Sequence, residues 1–216
     1  MITTDIFTMR RILLLACFML FLLSGVTKAE KLDQKKEAAI AKEKATLLEQ
    51  QSSAENSETP SESIETITKQ QAQSVDPAGK ADMDNAITCL ARSIYWEANR
   101  TNIEEMEAIA NVVMNRLGHE GFPNTICGVV KQGQEQGLCQ FSWWCDGRPD
   151  EAQEEKAYAR AKEIARKALN QQINDSTVGA MYFHNRKVSP DWSNQYIKTV
   201  EIGDHIFYKP ADGKAK

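Results

Sequence analysis

The sequence offers little from which to build a metal site. Its three histidines, His119, His184 and His205, are scattered, and its five cysteines include no C-x-x-C pair. Structural zinc sites draw on closely spaced ligands, so this pattern argues against one. Strong charge is missing too. A net charge of −4 calls for neither a nucleic-acid partner nor a polyacid. There is no internal repeat. The one long apolar run, Ile12 to Leu23, is too short to span a bilayer comfortably. Residues 30 to 80 are poor in aromatics and show no core pattern after Ser52.

What is present starts with an export signal. Arg10-Arg11 flank the apolar run, and small residues around Ser24-Gly25 lead to Val26-Thr27-Lys28-Ala29. A basic flank, a short apolar stretch and small residues read as a secretory signal over 1–29, with cleavage after Ala29. The alternative is an uncleaved signal that anchors the protein in the inner membrane. Cys17 leaves with the signal. The remaining four, Cys89, Cys127, Cys139 and Cys145, are then in an oxidising compartment and are expected to form two disulfides, with three connectivities open.

Composition divides the rest. Residues 30–80 read as a charged, Ser- and Gln-rich tether, with a solvated helix over Lys31 to Gln51 and a flexible remainder. The packed domain is expected over 81–210, followed by a short tail, 211–216. Asp82 or Asp84 is a candidate cap for a first helix. Thr101-x-x-Glu104 resembles a capping box for a second. The apolar stripe of this helix is Ile103, Met106, Ala110, Val113 and Leu117. Glu104, Glu105 and Glu107 fall mostly off it, as a solvated face would. Pro149-Asp150 opens a third helix with a small-residue stripe at Ala157, Ala161, Ile164, Ala168 and Leu169. Two short strands around Gly203-Asp204 form a hairpin. The fold class is α+β, mainly helical with a small β element.

The stretch that carries chemistry is Cys89 to Arg100. Ile87, Leu90, Ile94 and Glu97 share one helical face, so an acid continues an apolar stripe. A desolvated Glu has a raised pKa and suits general-acid work at neutral pH. Two further segments set aromatics beside hydrogen-bonding groups, as a sugar site needs: Gln140-Phe141-Ser142-Trp143-Trp144 and Tyr182-Phe183-His184-Asn185. Asp146 is the best candidate for a second acid, although Cys145-Asp146-Gly147 also reads as a turn.

Residues 86 to 208 resemble the SleB/CwlJ-type cell-wall hydrolases. The matching pieces are Ile94-Tyr95-Trp96-Glu97-Ala98, Ala110-Asn111-Val112-Val113-Met114-Asn115-Arg116, Phe122 to Val130, Cys139-Gln140-Phe141-Ser142-Trp143, Cys145-Asp146-Gly147, Gly179 to His184 and Ile202 to Tyr208. The resemblance implies a lysozyme-like, lytic-transglycosylase-like core, no cofactor, peptidoglycan glycan strands as partner, and Glu97 as the one catalytic acid. Tyr95, Gln140, Phe141, Ser142, Trp143, Tyr182 and His184 are the expected substrate contacts. The implied cut is between N-acetylmuramic acid and N-acetylglucosamine and yields 1,6-anhydro ends. A hydrolytic muramidase, an amidase and a non-catalytic peptidoglycan-binding module are the alternatives. Where the family usually carries Ala-Arg-Gly-Glu, this chain has Ala98-Asn99-Arg100-Thr101.

Protein recovered from the envelope fraction should begin near Glu30 by N-terminal sequencing. An intact Met1 on cytoplasmic protein would refute the export signal.

Overall fold

The computed structural model describes residues 6–54, 65–98 and 100–211, with side chains from residue 28 onward. Residues 1–5 and the side chains up to residue 27, where an export signal is expected, together with residues 55–64 of the expected tether, Asn99 and residues 212–216, lie outside the described residues. Among the described residues no helix is long and apolar enough to cross a membrane. Among the described residues six α-helices run along the chain: α1 (Ile6–Ser53), α2 (Lys69–Ser74), α3 (Ala86–Glu97), α4 (Ile103–Arg116), α5 (Ile126–Lys131) and α6 (Glu155–Leu169). Three strands follow, β1 (Tyr182–Asn185), β2 (Ile197–Ile202) and β3 (His205–Lys209). They form one antiparallel sheet in the order β1-β3-β2. The expected hairpin is β2–β3. The Tyr182-to-Asn185 segment adds the third strand.

The central element is α3. It packs against α1, α4, α5 and α6, and every residue from Ala86 to Tyr95 is buried. Its cap is Asn85, whose side chain accepts from Thr88 N at 3.0 Å. Asp84 instead receives the Asn85 amide at 2.8 Å. Likewise Asn102, not Thr101, caps α4, accepting from Glu105 N at 3.2 Å. In both cases the residue nearer the first helical turn wins, because only it can reach the free N–H groups. α6 begins at Glu155, later than Pro149-Asp150, but its small-residue stripe is buried as expected.

Glu105 departs from the solvated face assigned to it. It is 1% exposed, accepts from Asp204 N at 3.3 Å, and faces His205 Nδ1 at 2.5 Å. This joins the first turn of α4, where the helix dipole favours a carboxylate, to the β2–β3 turn. Gly203 lies at φ +56°, and a Cβ there would stand 2.3 Å from Glu105 Oε2. The turn can approach the acid only as glycine.

Packing also extends N-terminal of Ala81. On α1 the side chains Ala41, Ala45, Leu48 and Glu49 are buried at helical spacing, while residues 28 to 36 are exposed. Glu49 accepts from Ile126 N at the start of α5. Ile67, Ala72 and Val75, within the stretch grouped with the tether, are fully buried. One reason is Arg92, a cation in the middle of α3 with 2% exposure. Its Nη2 donates to Asp76 Oδ2 at 2.8 Å, and Tyr158 OH donates to the same oxygen at 2.7 Å. Asp76 Oδ1 accepts from Lys80 N and Ala81 N at 2.7 and 2.8 Å. Burial pushes the Asp76 carboxyl up, but these donors and the Arg92 charge outweigh it and hold it below the usual range.

Two disulfides complete the frame. Cys89–Cys127 ties α3 to α5, and Cys139–Cys145 closes the loop between α5 and α6.

Asp76→Asn keeps the shape and tolerates the φ of +45° found there, so it isolates the charge. It should cost about 3–5 kcal/mol in chemical denaturation. The folded carboxyl is held below its unfolded value, so its contribution is present above about pH 4 and is lost as pH falls further. A loss in Asp76→Asn under about 1 kcal/mol would show that the charge does not hold this junction. For the disulfides, thiol titration under denaturing conditions should find no free thiol among the four domain cysteines. With sequence separations of 38 and 6, removing Cys89–Cys127 should cost about 4 kcal/mol and removing Cys139–Cys145 about 2 kcal/mol. Four free thiols in exported protein would overturn this pairing.

Candidate active site

Three segments far apart in sequence surround one cleft of about 740 Å³. The end of α3 supplies Glu97. The loop closed by Cys139–Cys145 supplies Leu138, Gln140 and Ser142. Strands β1 and β3 and the connection between β1 and β2 supply Tyr182, His184, Trp192, Tyr196 and His205.

Glu97 is the last residue of α3, since Ala98 turns to extended backbone and donates its N–H to Ile94 O at 3.2 Å. The same periodicity that buries Ile87, Leu90 and Ile94 carries this acid to the edge of the core. Burial disfavours its charged form and pushes its pKa up to about 7, against the opposing pull of Arg116. The carbonyl end of α3 works in the same direction as burial. Among the described residues that line the cleft, Glu97 is the one with a carboxyl group.

Arg116 comes from the last turn of α4, where a cation suits the helix dipole. It is 2% exposed. Its Nε donates to Met181 O at 2.6 Å. The guanidinium rests against Phe122, Phe141 and Tyr182, with ring centroids at 5.2, 5.2 and 5.5 Å. Burial lowers its pKa to about 10, so it stays charged at neutral pH.

The aromatic wall follows from strand geometry. Tyr182 and His184 share one face of β1, and Phe183 takes the other. Tyr182 stacks on Tyr196 with centroids 4.4 Å apart, and His184 stacks on Tyr208 at 5.3 Å. Nε2 of His184 is 3.0 Å from Tyr208 OH, which fixes the imidazole plane. Trp192 meets His184 edge-on at 5.6 Å. Flat apolar rings beside amide and hydroxyl groups can stack on pyranose faces while hydrogen-bonding their substituents.

Of the expected site residues, Glu97, Gln140, Ser142, Tyr182 and His184 meet in this cleft. Tyr95, Phe141 and Trp143 do not. Tyr95 is 1% exposed and its hydroxyl accepts from Gln153 N and Glu154 N, each at 3.1 Å, ahead of α6. Phe141 is fully buried beneath Arg116, and Trp143 is 7% exposed in the core. Their placement follows from the loop's alternation, which sends Gln140 and Ser142 outward and Phe141 and Trp143 inward. Asp146 forms a turn, accepting from Arg148 N at 2.8 Å. Arg100, part of the departure from the family pattern, stacks on Tyr95 at 4.2 Å and pairs with Glu154, outside the cleft. Sequence reasoning assigned no role to Arg116, Trp192, Tyr196 or His205. Trp192 and Tyr196, two aromatics within and just after the short 3-10 turn Asp191–Gln195, were the available signal.

A profile of the Cell Wall Hydrolase family matches residues 100–208. The spore cortex-lytic enzyme of Bacillus subtilis is 33% identical over 129 residues, covering 57% of this chain and 37% of that protein. The spore cortex-lytic enzyme of Halalkalibacterium halodurans is 32% identical over 136 residues, covering 61% and 36%. This chain thus spans about two fifths of the length of the curated relatives it matches. The crystal structure of the catalytic domain of the Bacillus cereus SleB protein is 28% identical with a TM-score of 0.46, covering 57% of this chain and 89% of that one. With the profile spanning half of its length, from the start of α4 through β3, this chain belongs to the Cell Wall Hydrolase family.

Proposed function

We propose that this protein degrades peptidoglycan as a lytic transglycosylase, cutting the glycan strand between N-acetylmuramic acid and N-acetylglucosamine with Glu97 as its one catalytic acid. The observation that carries this reading is a half-buried carboxyl, protonated up to about pH 7, as the single acid among the described residues on the wall of an aromatic cleft. Family membership supports the substrate class. Two disulfides fit a periplasmic or secreted protein.

In the first step Glu97 gives its proton to the glycosidic oxygen as the C1–O bond breaks, and is left as a carboxylate. In the second, that carboxylate takes the proton of the C6 hydroxyl as its oxygen bonds to C1. The sugar ends as the 1,6-anhydro form and Glu97 is again protonated. The nucleophile is part of the substrate, so its effective concentration is high and no second acid is needed to hold water. In this reading Gln140, Ser142 and His184 hold sugar substituents, and Tyr182, Trp192 and Tyr196 stack on ring faces.

A hydrolytic muramidase is the second reading. The feature that favours it is His205, which lines the cleft and is backed by Glu105 at 2.5 Å. A carboxylate-backed imidazole can position water.

Digestion of purified sacculi in ¹⁸O water, followed by mass spectrometry, separates the two. The wild type should release unlabelled 1,6-anhydro ends. Glu97→Gln should fold, bind sacculi and lose about 10²–10⁴ in rate. Labelled reducing ends as the main product would establish the muramidase. Near-normal turnover by Glu97→Gln would move the acid elsewhere.

A further inference from the structure

We propose that Arg116 is the electrostatic counterpart of Glu97: a cation fixed in the cleft floor that favours the carboxylate left once the proton has been given to the substrate. This rests on the reading of Glu97 as the catalytic acid and extends it to a residue with no assigned role.

The geometry sets Arg116 apart from other buried cations in the fold. Arg92 has its own carboxylate in Asp76 at 2.8 Å. Lys162 spends its charge on carbonyl oxygens, donating to Gln73 O and Val75 O at 3.0 and 3.1 Å. Arg116 has one carbonyl, Met181 O, and three ring faces. Its Nη1 is buried with no hydrogen-bond partner. A buried guanidinium kept this way is costly. Among the described residues no carboxylate lies within ion-pair distance of it; the acidic groups that act on it are the Tyr182 hydroxyl and then Glu97, which is the carboxyl on the same cleft.

The arrangement suits a group that is neutral at the start of the reaction and charged in the middle. A direct salt bridge would hold Glu97 ionised and remove the proton it must donate. A cation held further off leaves the acid protonated near neutrality, yet strengthens its interaction as the carboxylate develops. That interaction is made in the transition state and not in the ground state. The other titratable groups on these walls are Tyr182 and His184 on β1, Tyr196 after it, and His205 on β3 with Glu105 behind it. None of these brings a second unpaired carboxylate to the cleft.

The test is the pH dependence of kcat/KM on sacculi for wild type, Arg116→Gln and Arg116→Lys, with Glu97→Gln as control. Activity needs protonated Glu97, so the wild-type alkaline limb should lie near pH 7. The cation opposes protonation, so its loss should move that limb up by about one unit and lower kcat about tenfold. Arg116→Lys keeps the charge. It should hold the limb near the wild-type position and kcat to within about tenfold. A packing role alone would lower amplitude in both variants and leave the limb in place. A folded Arg116→Gln with an unmoved limb overturns the proposal. If Arg116→Gln does not fold, Arg116→Lys decides. Retained activity with an unmoved limb supports the charge. Collapse of kcat in a folded Arg116→Lys overturns it. An active Glu97→Gln would instead defeat the assignment of Glu97, so the two failures are distinct.

Discussion

The pairing of Arg92 with Asp76 is the constraint that organises this molecule. Arg92 sits in a helix buried along almost its whole length, where an unpaired cation would cost several kcal/mol. Its counter-charge comes from outside the helical body, on a segment with few apolar residues of its own. Neutralising Arg92 therefore draws residues 65 to 80 onto α3 and α6. Tyr158 from α6 closes the same carboxylate, and Lys162 gathers the neighbouring carbonyls. With α3 clamped from this side and tied to α5 by Cys89–Cys127, its last residue has a fixed address.

That address explains how one acid serves two needs. Placing Glu97 at the edge of the core desolvates it enough to keep its proton. Placing it at the end of the helix, where the chain turns away, leaves it facing open space. The neighbouring walls have different origins. The Gln132-to-Gly147 loop offers polar groups on alternate residues, while the sheet offers rings on one face of a strand. Glu105 and Gly203 lock the β2–β3 turn against α4, and so fix the sheet's distance from the helix that carries Arg116.

Much of this was legible in the sequence. The stripe Ile87, Leu90, Ile94, Glu97 identified the unusual acid, because helical spacing alone decides which residues share a face. The small-residue stripe of α6 and the β2–β3 hairpin were legible for the same local reasons. Less visible were features set by partners distant in the chain. Nothing near Glu105 indicates that His205 will bury it, a hundred residues on. Nothing near Asp76 announces Arg92. Composition made residues 65 to 80 look like linker, because what holds them is one charge, a few apolar side chains and hydrogen bonds to Ala159, Lys162, Arg166 and Asn170 rather than a periodic face. Gln140, Phe141, Ser142 and Trp143 looked equivalent in the chain. Only their alternation in the folded loop separates Phe141 and Trp143, which support the cleft, from Gln140 and Ser142, which border it.

α1 has a consequence of its own. Its later turns are docked through Ala41, Ala45, Leu48 and Glu49, while residues 28 to 36 continue the same helix free of the body. A helix that emerges in this way carries direction as well as length. Each residue adds about 1.5 Å and about 100° of rotation, so the upstream chain leaves the domain at one height and one azimuth. A coil of equal length would average over both. Adding a single residue to the exposed turns would swing everything upstream about a quarter turn around the axis while shifting it hardly at all. With the signal retained as an anchor, the direction in which the cleft faces would be geared to the residue count of that stem, whereas cleavage after Ala29 would leave only a short free stub.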